Sequence, residues 1–265
     1  RLDPAVSKIF TSYTQDGLFS LIGAVLCTIQ LYMDFSGIVD ICLGSAEIFG
    51  IKLPENFRQP FFAENASDFW RRWHISLSTW IRDYVYISLG GNRRGKVFMY
   101  INQMIAMTAC GLWHGASLNF VLWGVIHGAL VCLHKFWSQT ILRHDRHYHP
   151  SGIHRFFSVL ITFHVITFTW ILFRCRDFDS AWIMIKQMVT KFNLSVLPDV
   201  FIAYVFILML FALFTHFLPN SWQNRSIKIL QKGGVVLSAV AITIVIFIIM
   251  QVKSSEIQPF IYFQF

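Results

Sequence analysis

Apolar stretches free of formal charge fall at Leu18–Met33, Val97–His134, Phe156–Phe173, Val200–Leu218 and Gly233–Val252. A helix rises about 1.5 Å per residue and a bilayer core is about 30 Å thick, so about 20 apolar residues cross it. Gly233–Val252 meets that length by itself. Val97–His134 holds 38 residues, and as one helix would reach about 57 Å. It must break, and the cheapest place is Gly111-Leu112-Trp113-His114-Gly115, where two helix-weakening glycines flank a Trp-His pair. With two elements in that run the pattern predicts about six membrane helices, and a seventh around Phe35–Ile51. The expected fold is all-α, a polytopic membrane helical bundle with re-entrant or interfacial helices, forming one domain over residues 1–265. Whether the break is a hairpin tip or a mid-span kink stays open.

Between the first two runs the pattern changes. Residues 52–64 contain two prolines and several polar side chains and read as an ordered interfacial loop. Asn65-Ala66-Ser67-Asp68 offers helix-start chemistry, with Ser67 or Asp68 as N-cap. From Asp68 to Ile87 the period is helical. Phe69, Trp73, Leu77, Trp80 and Tyr84 share one face, Arg71, Ser78 and Arg82 lie opposite, and His74 sits on the boundary. Three tryptophans and two tyrosines within seventeen residues suit the headgroup zone. An interfacial anchor explains most of these side chains but leaves the imidazole of His74 needing a partner. Leu89 to Lys96 (LGGNRRGK) is a tight basic turn ending this helix. A glycine-rich basic loop can also cradle phosphate, but it lacks the Walker spacing.

Composition places the chain in the membrane class. Hydrophobic residues make up 55% and charged residues 14%, against about 25% charged in soluble domains. The net charge of +8 follows from the positive-inside rule and calls for no nucleic acid. Eight Lys/Arg residues lie between Lys52 and Lys96, which puts that segment at the cytoplasmic side. The cluster Lys135 to Arg155 joins it there if the long run is a hairpin. Five scattered cysteines without a CxxC pair suggest neither a disulfide framework nor zinc. His144, His147 and His149 lack a companion set of Cys or acidic ligands and read as a solvated loop, so no metal is expected. The chain opens at Arg1 and enters its first apolar run by Leu18, which reads as a piece of a longer protein.

An ionisable residue at a backbone break within membrane depth is a functional-site candidate, which singles out His114. His127, His164 and His216 stand alone in apolar helices and are better read as interhelical hydrogen-bond partners, though His127 is close enough in sequence to share a cavity with His114. A transporter would also use intramembrane histidines and broken helices. Against it, the sequence has no internal repeat and no matching pair of broken segments.

Met33-Asp34-Phe35-Ser36-Gly37, Pro54-Glu55-Asn56-Phe57, the run Asp68 to Ser78 (DFWRRWHISLS), Gly90-Gly91-Asn92-Arg93 and Gly111 to Gly115 resemble, in that order, the membrane-bound O-acyltransferase (MBOAT) family. The bacterial alginate O-acetyltransferase branch is the nearer likeness, and the branch moving D-alanine onto teichoic acids is a cousin. Trp170 to Arg174 (WILFR) and the ending Phe260 to Phe265 also look like that branch. The resemblance implies an MBOAT-type bundle lacking N-terminal helices of a full-length member. It implies that His114 is the catalytic histidine and His74 the second active-site residue.

Acyl transfer from a thioester to a hydroxyl needs a base and a donor for the developing oxyanion. The expected roles are His114 as base and His74 as orienting or oxyanion-binding group. Trp113, Arg71, Ser78, Asn119 and His127 are the expected substrate-binding residues. No bound cofactor is expected, with acetyl-CoA as donor substrate drawn to the basic segment. The implied setting is the bacterial inner membrane, crossed several times. The implied acceptor is an exported polysaccharide or a periplasmic acetyl-relay protein, with membrane lipids around the helices. The alternatives are D-alanyl transfer from a carrier protein and a non-catalytic transporter.

Overall fold

The computed structural model describes residues 6–7, 9–10, 16–143, 148–193 and 203–252. Every regular element among them is helical: α1 (Gly17–Ile48), α2 (Ala66–Arg72), α3 (Ile75–Trp80, extended by a π-helical turn Ile81–Tyr86), α4 (Lys96–His114), α5 (Leu118–Phe136, extended by a π-helical turn Trp137–Ile141), α6 (Gly152–Arg174), α7 (Phe178–Thr190), α8 (Ala203–Phe217) and α9 (Asn220–Val252). The chain divides into two compact units between Leu210 and Phe211. Among the described residues four helices are long and apolar enough to cross a membrane: α1, α5 with its extension, α6, and the Arg225–Met250 stretch of α9. The fold is thus an all-α membrane bundle, with four such helices where the pattern suggested about six. α4 falls short because Lys96, Asn102, Gln103 and Thr108 dilute its apolar content. The Val200–Leu218 run is described only from Ala203, as fifteen helical residues, about 22 Å long.

The seventh helix expected around Phe35–Ile51 does not exist as a separate element. Asp34 and Ser36 do not interrupt α1, which runs unbroken for 32 residues. Its first half is buried, from Gly17 to Leu31, and packs against α6 and α7. Thr28 Oγ1 meets Thr167 Oγ1 of α6 at 3.2 Å. Asp16 caps the helix by accepting from the Leu18 N–H, and the Gly17 N–H donates to the Lys191 carbonyl at the end of α7. A side chain at Gly17 would collide with the backbone of Gln187. Beyond Met33 the helix runs largely in the open, with Ile41 and Ile48 exposed.

The long uncharged run folds as a hairpin. Its contacts pair Gly111 with Phe120 and Gly124, Met107 and Met104 with Gly128, Tyr100 with Cys132 and Gln103 with Lys135. Such pairing, rising on one helix as it falls on the other, is antiparallel, with its tip at Gly115–Ser117. Close approach is what the glycines supply. A Cβ on Gly111 would strike the Phe120 carbonyl, and one on Gly124 would strike that of Met107. At Gly115 it would lie 2.8 Å from the Phe120 ring. Small residues that let helix backbones touch are a common means of association within membranes. The hairpin puts Lys96 and Lys135 at one end and His114 at the other.

In the second unit α9 bends at Gly234, whose φ of 64° is non-helical. Its side chains from Ile242 to Met250 are exposed apolar groups.

Candidate active site

The stretch from Asp68 to Ile87 is not one helix. Asn65, rather than Ser67 or Asp68, is the N-cap of α2, its Oδ1 accepting from the Asp68 N–H at 2.9 Å. The helix ends at Trp73, and His74 takes a left-handed conformation, φ 44° and ψ 55°, before α3 begins. A non-glycine residue there costs on the order of 1–2 kcal/mol, so something must hold it. That clamp is Asn56. Its carbonyl accepts from the Ile75 N–H at 3.1 Å. Its Oδ1 accepts from both the Ser76 N–H at 2.9 Å and the Ser76 hydroxyl at 2.6 Å. Ser78 closes the break from the other side, donating its hydroxyl to the Trp73 carbonyl at 3.2 Å. The imidazole of His74 meets Phe35 of α1 edge to face at 4.8 Å.

The break also changes the shared face. Phe69, Trp73 and Leu77 are buried, whereas Trp80 and Tyr84, beyond the kink, are half or more exposed and stack on each other at 5.3 Å. Trp73 is 2% exposed. It stacks on Phe69 at 5.6 Å and meets Phe57 at 5.0 Å and Trp170 at 5.3 Å. Such ring pairs contribute about 0.5–1.5 kcal/mol each beyond the area they bury, and they fasten the His74 segment to the Pro54–Phe57 loop and α6.

His114 ends α4 at the hairpin tip. Three rings enclose its imidazole: Trp113 at 4.9 Å, Trp123 at 5.3 Å and Phe173 at 4.9 Å. Trp113 also lies 6.1 Å from the ring of His74, so one indole contacts both histidines. The fold thereby gathers His74, Trp113 and His114 from segments forty residues apart. Trp113 itself is more than half exposed.

His127 is placed differently. It is fully buried, and both its nitrogens are engaged. The Trp70 indole N–H donates to Nδ1 at 3.2 Å. Nε2 faces Thr169 Oγ1 at 2.9 Å, whose own proton goes to the Ile166 carbonyl at 2.7 Å. An indole nitrogen only donates, so Nδ1 accepts and Nε2 carries the hydrogen. The ring therefore stands behind the site, with Trp123 between it and His114 at 4.5 Å. Asn119 is buried too, its Nδ2 donating to the Cys175 carbonyl at 3.0 Å, which ties the start of α5 to the end of α6.

A cavity of about 450 Å³ lies between the Trp70–Tyr86 stretch and the α4–α5 hairpin, and neither histidine nor Trp113 lines it. It is lined by the cations Arg58, Arg71, Arg82 and Lys135, by Ser78, Gln103, Ala106 and Met107, and by Ile75 and Cys110. Those two residues adjoin His74 and lie one helical turn before His114. Of the expected substrate-binding residues, Arg71 and Ser78 line this cavity, and Trp113, Asn119 and His127 do not. The basic turn Leu89–Lys96 is pinned to α4 by Asn102, whose Nδ2 donates to the Gly91 carbonyl at 2.8 Å, and Arg93, Arg94 and Lys96 point to solvent. His144 and His147 lie outside the described residues. His149 is bound to Glu64, and among the described residues no group of three His, Cys, Asp or Glu side chains could hold a metal.

Sequence reasoning missed the clamp residue Asn56 and the walls Trp123 and Phe173. Asn56 and Phe173 fall inside quoted motifs, but nothing in their spacing says what they touch.

A profile of the membrane-bound O-acyltransferase family matches residues 10–175. The chain belongs to that family. Among curated relatives it is 41% identical over 160 residues to a peptidoglycan O-acetyltransferase of Helicobacter pylori, a match covering 60% of this chain and 29% of that protein. It is 42% identical over 167 residues to a probable alginate O-acetylase of Azotobacter vinelandii, covering 63% and 32%. A teichoic acid D-alanyltransferase of Bacillus subtilis is 31% identical over 161 residues, covering 57% and 40%. The chain thus spans about a third of the length of these relatives. The family match ends at Cys175, the residue after α6, so it covers α1 to α6 and every site residue described above.

Proposed function

We propose that this chain carries the acyl-transfer centre of a membrane O-acetyltransferase. The observation that carries the reading is that His74 and His114, distant in the chain, both pack on Trp113, beside a cavity whose lining joins Ile75 and Cys110 to Arg58, Arg71, Arg82 and Lys135. The donor is a thioester whose anionic part is attracted to Arg71 and its neighbours, with acetyl-CoA the simplest case. The acyl end reaches inward past Met107 and Cys110.

His114 takes the proton of the acceptor hydroxyl as its oxygen attacks the thioester carbonyl. The C–O bond forms, and the negative charge on the carbonyl oxygen accepts a hydrogen bond from His74. Collapse of this intermediate breaks the C–S bond, and the thiolate leaves with the proton held by His114. The aromatic enclosure of His114 excludes water that would hydrolyse the thioester. The acceptor is a hydroxyl of an exported polysaccharide or of a protein that relays the acetyl group, in the bacterial inner membrane. The names of the H. pylori and A. vinelandii relatives support acetyl as the group moved.

D-alanyl transfer from a carrier protein is the second reading, supported by the B. subtilis relative at lower identity. Detection of acetyl or of D-alanyl esters on exported polymer separates the two. His114→Ala is expected to lower transfer by about 10²–10⁴-fold, the usual weight of a general base, with insertion unchanged. Near-normal ester content on the polymer from that variant would rule out the reading.

A further inference from the structure

A second cavity, of about 600 Å³, adjoins the first and shares Ser67, Arg71 and Lys135 with it. It lies where α5 ends in the turn Trp137–Ile141 and where α6 begins at Gly152. Those are the ends of two candidate membrane spans, so the cavity sits at the depth where hydrocarbon gives way to water.

Its charge is one-sided. Arg71 and Lys135 supply its fixed positive charge, His134, His149 and His154 also line it, and Glu64 is its carboxylate. Both oxygens of Glu64 are already taken, Oε2 by His149 at 2.8 Å and Oε1 by Arg155 at 2.9 Å. Asp68, which does not line the cavity, binds Arg72 at 2.8 Å and reaches Arg71 only at 3.6 Å. The Lys135 ammonium is half-buried, donates to Gln103 Oε1 at 2.9 Å, and among the described residues makes no ion pair. A withdrawn ammonium with only a neutral partner is stabilised by any anion that enters. The rim is amphipathic, with Trp137 and Tyr148 each half exposed beside Leu142, the kind of rings found at headgroup level.

We propose that this cavity binds the phosphodiester headgroup of an anionic phospholipid from the leaflet facing the basic segments. Lys135 and Arg71 donate to the phosphate oxygens, and the glycerol and upper acyl chains run along Trp137 and Leu142. Basic pockets between membrane helices on that side are suited to such headgroups. The proposal rests on the lining of the outer cavity and not on the acyl-transfer reading, although Arg71 and Lys135 border both cavities.

The test is native mass spectrometry of the full chain in detergent, with phosphatidylglycerol and phosphatidylcholine of identical acyl chains. Phosphatidylglycerol should stay bound at collision energies that strip phosphatidylcholine. Lys135→Gln should lower its retention by about fivefold, the effect of one cation near a charged membrane surface. Ser138→Glu, which adds a carboxylate at the rim and leaves Lys135 in place, should do the same, and it decides the matter if Lys135→Gln fails to elute as a folded monodisperse species. Adenosine 3′,5′-bisphosphate and inorganic phosphate at millimolar concentration should not displace the lipid. Equal retention of both lipids, retention unchanged in the folded variants, or displacement by either soluble phosphate would overturn the proposal.

Discussion

At the scale of single residues, the geometry separates histidines that the sequence made look alike. His74 is held in a left-handed turn by Asn56, and His114 ends a helix among three aromatic rings. His127 has both nitrogens satisfied and is walled off by Trp123. The variants should separate in the same way. His74→Asn keeps a residue that tolerates the left-handed region, so it should remain folded while losing about 10²-fold in transfer, as for removal of an oxyanion donor. His74→Val should lose thermal stability as well, by on the order of 1–2 kcal/mol; comparable melting of the two would remove the clamp from the account. Thr169→Val leaves the His127 Nε2–H buried and unpaired, which costs about 1–3 kcal/mol. Thr169→Ser restores the acceptor and should restore the thermal midpoint. His127 is in these terms a positioning residue for Trp70 and Trp123.

At the scale of elements, the hairpin of α4 and α5 decides where His114 stands. Gly111, Gly124 and Gly128 bring the two backbones together, so the tip is set by packing along the whole pair rather than by the tip residues alone. Gly124→Val would drive its side chain into the Met107 carbonyl. Such overpacking costs about 1–3 kcal/mol, and transfer should fall with stability although no catalytic group is altered. Gly44→Ala, at a helical glycine of α1 with open space around it, should be neutral or slightly stabilising. Equal effects of the two in a thermal-shift assay would show that the close approach does not matter. The break at His74 has the same character. The periodicity from Asp68 to Ile87 is genuinely helical, and Trp73 and Leu77 are buried as it requires. The interruption comes from a loop whose hydrogen bonds to Ile75 and Ser76 replace those of a continuous helix.

At the scale of the whole molecule, the hairpin orders the charges. It brings the basic turn before α4 and the end of α5 to one side and the Trp113–His114 tip to the other. Cysteines introduced at Arg93 and Leu142 should therefore react with a membrane-impermeant maleimide from the same face, and one at Ser117 should not react from that face. Labelling of Arg93→Cys and Leu142→Cys from opposite faces would contradict the hairpin. The cavity lined by Arg58, Arg71, Arg82 and Lys135 lies along the hairpin, with Gln103, Ala106, Met107 and Cys110 of α4 in its wall. Under the proposed function the anionic donor is drawn to these cations, and His74 and His114 act on its acyl group.

The sequence by itself determined what depends on counting. Chain length against membrane thickness required the break near His114, and the scarcity of charge required a membrane protein. The apolar runs located α6 to within a few residues and marked the apolar parts of α1, α5 and α9, because burial in lipid demands uninterrupted apolar length. But α1 continues to Ile48 and α9 begins at Asn220, well outside the runs. Motif likeness singled out His74 and His114. Tertiary structure alone decided that the break is a hairpin tip, since only backbone contact between Gly111 and Gly124 distinguishes a reversal from a kink. It also decided that α2 and α3 are separate, because the cause is Asn56, eighteen residues before His74. Spacing records which residues share a helix face, whereas a clamp from a distant loop leaves no period in the chain. For the same reason His127 resembled a cavity residue in sequence, and only its bonds to Trp70 and Thr169 place it behind the wall.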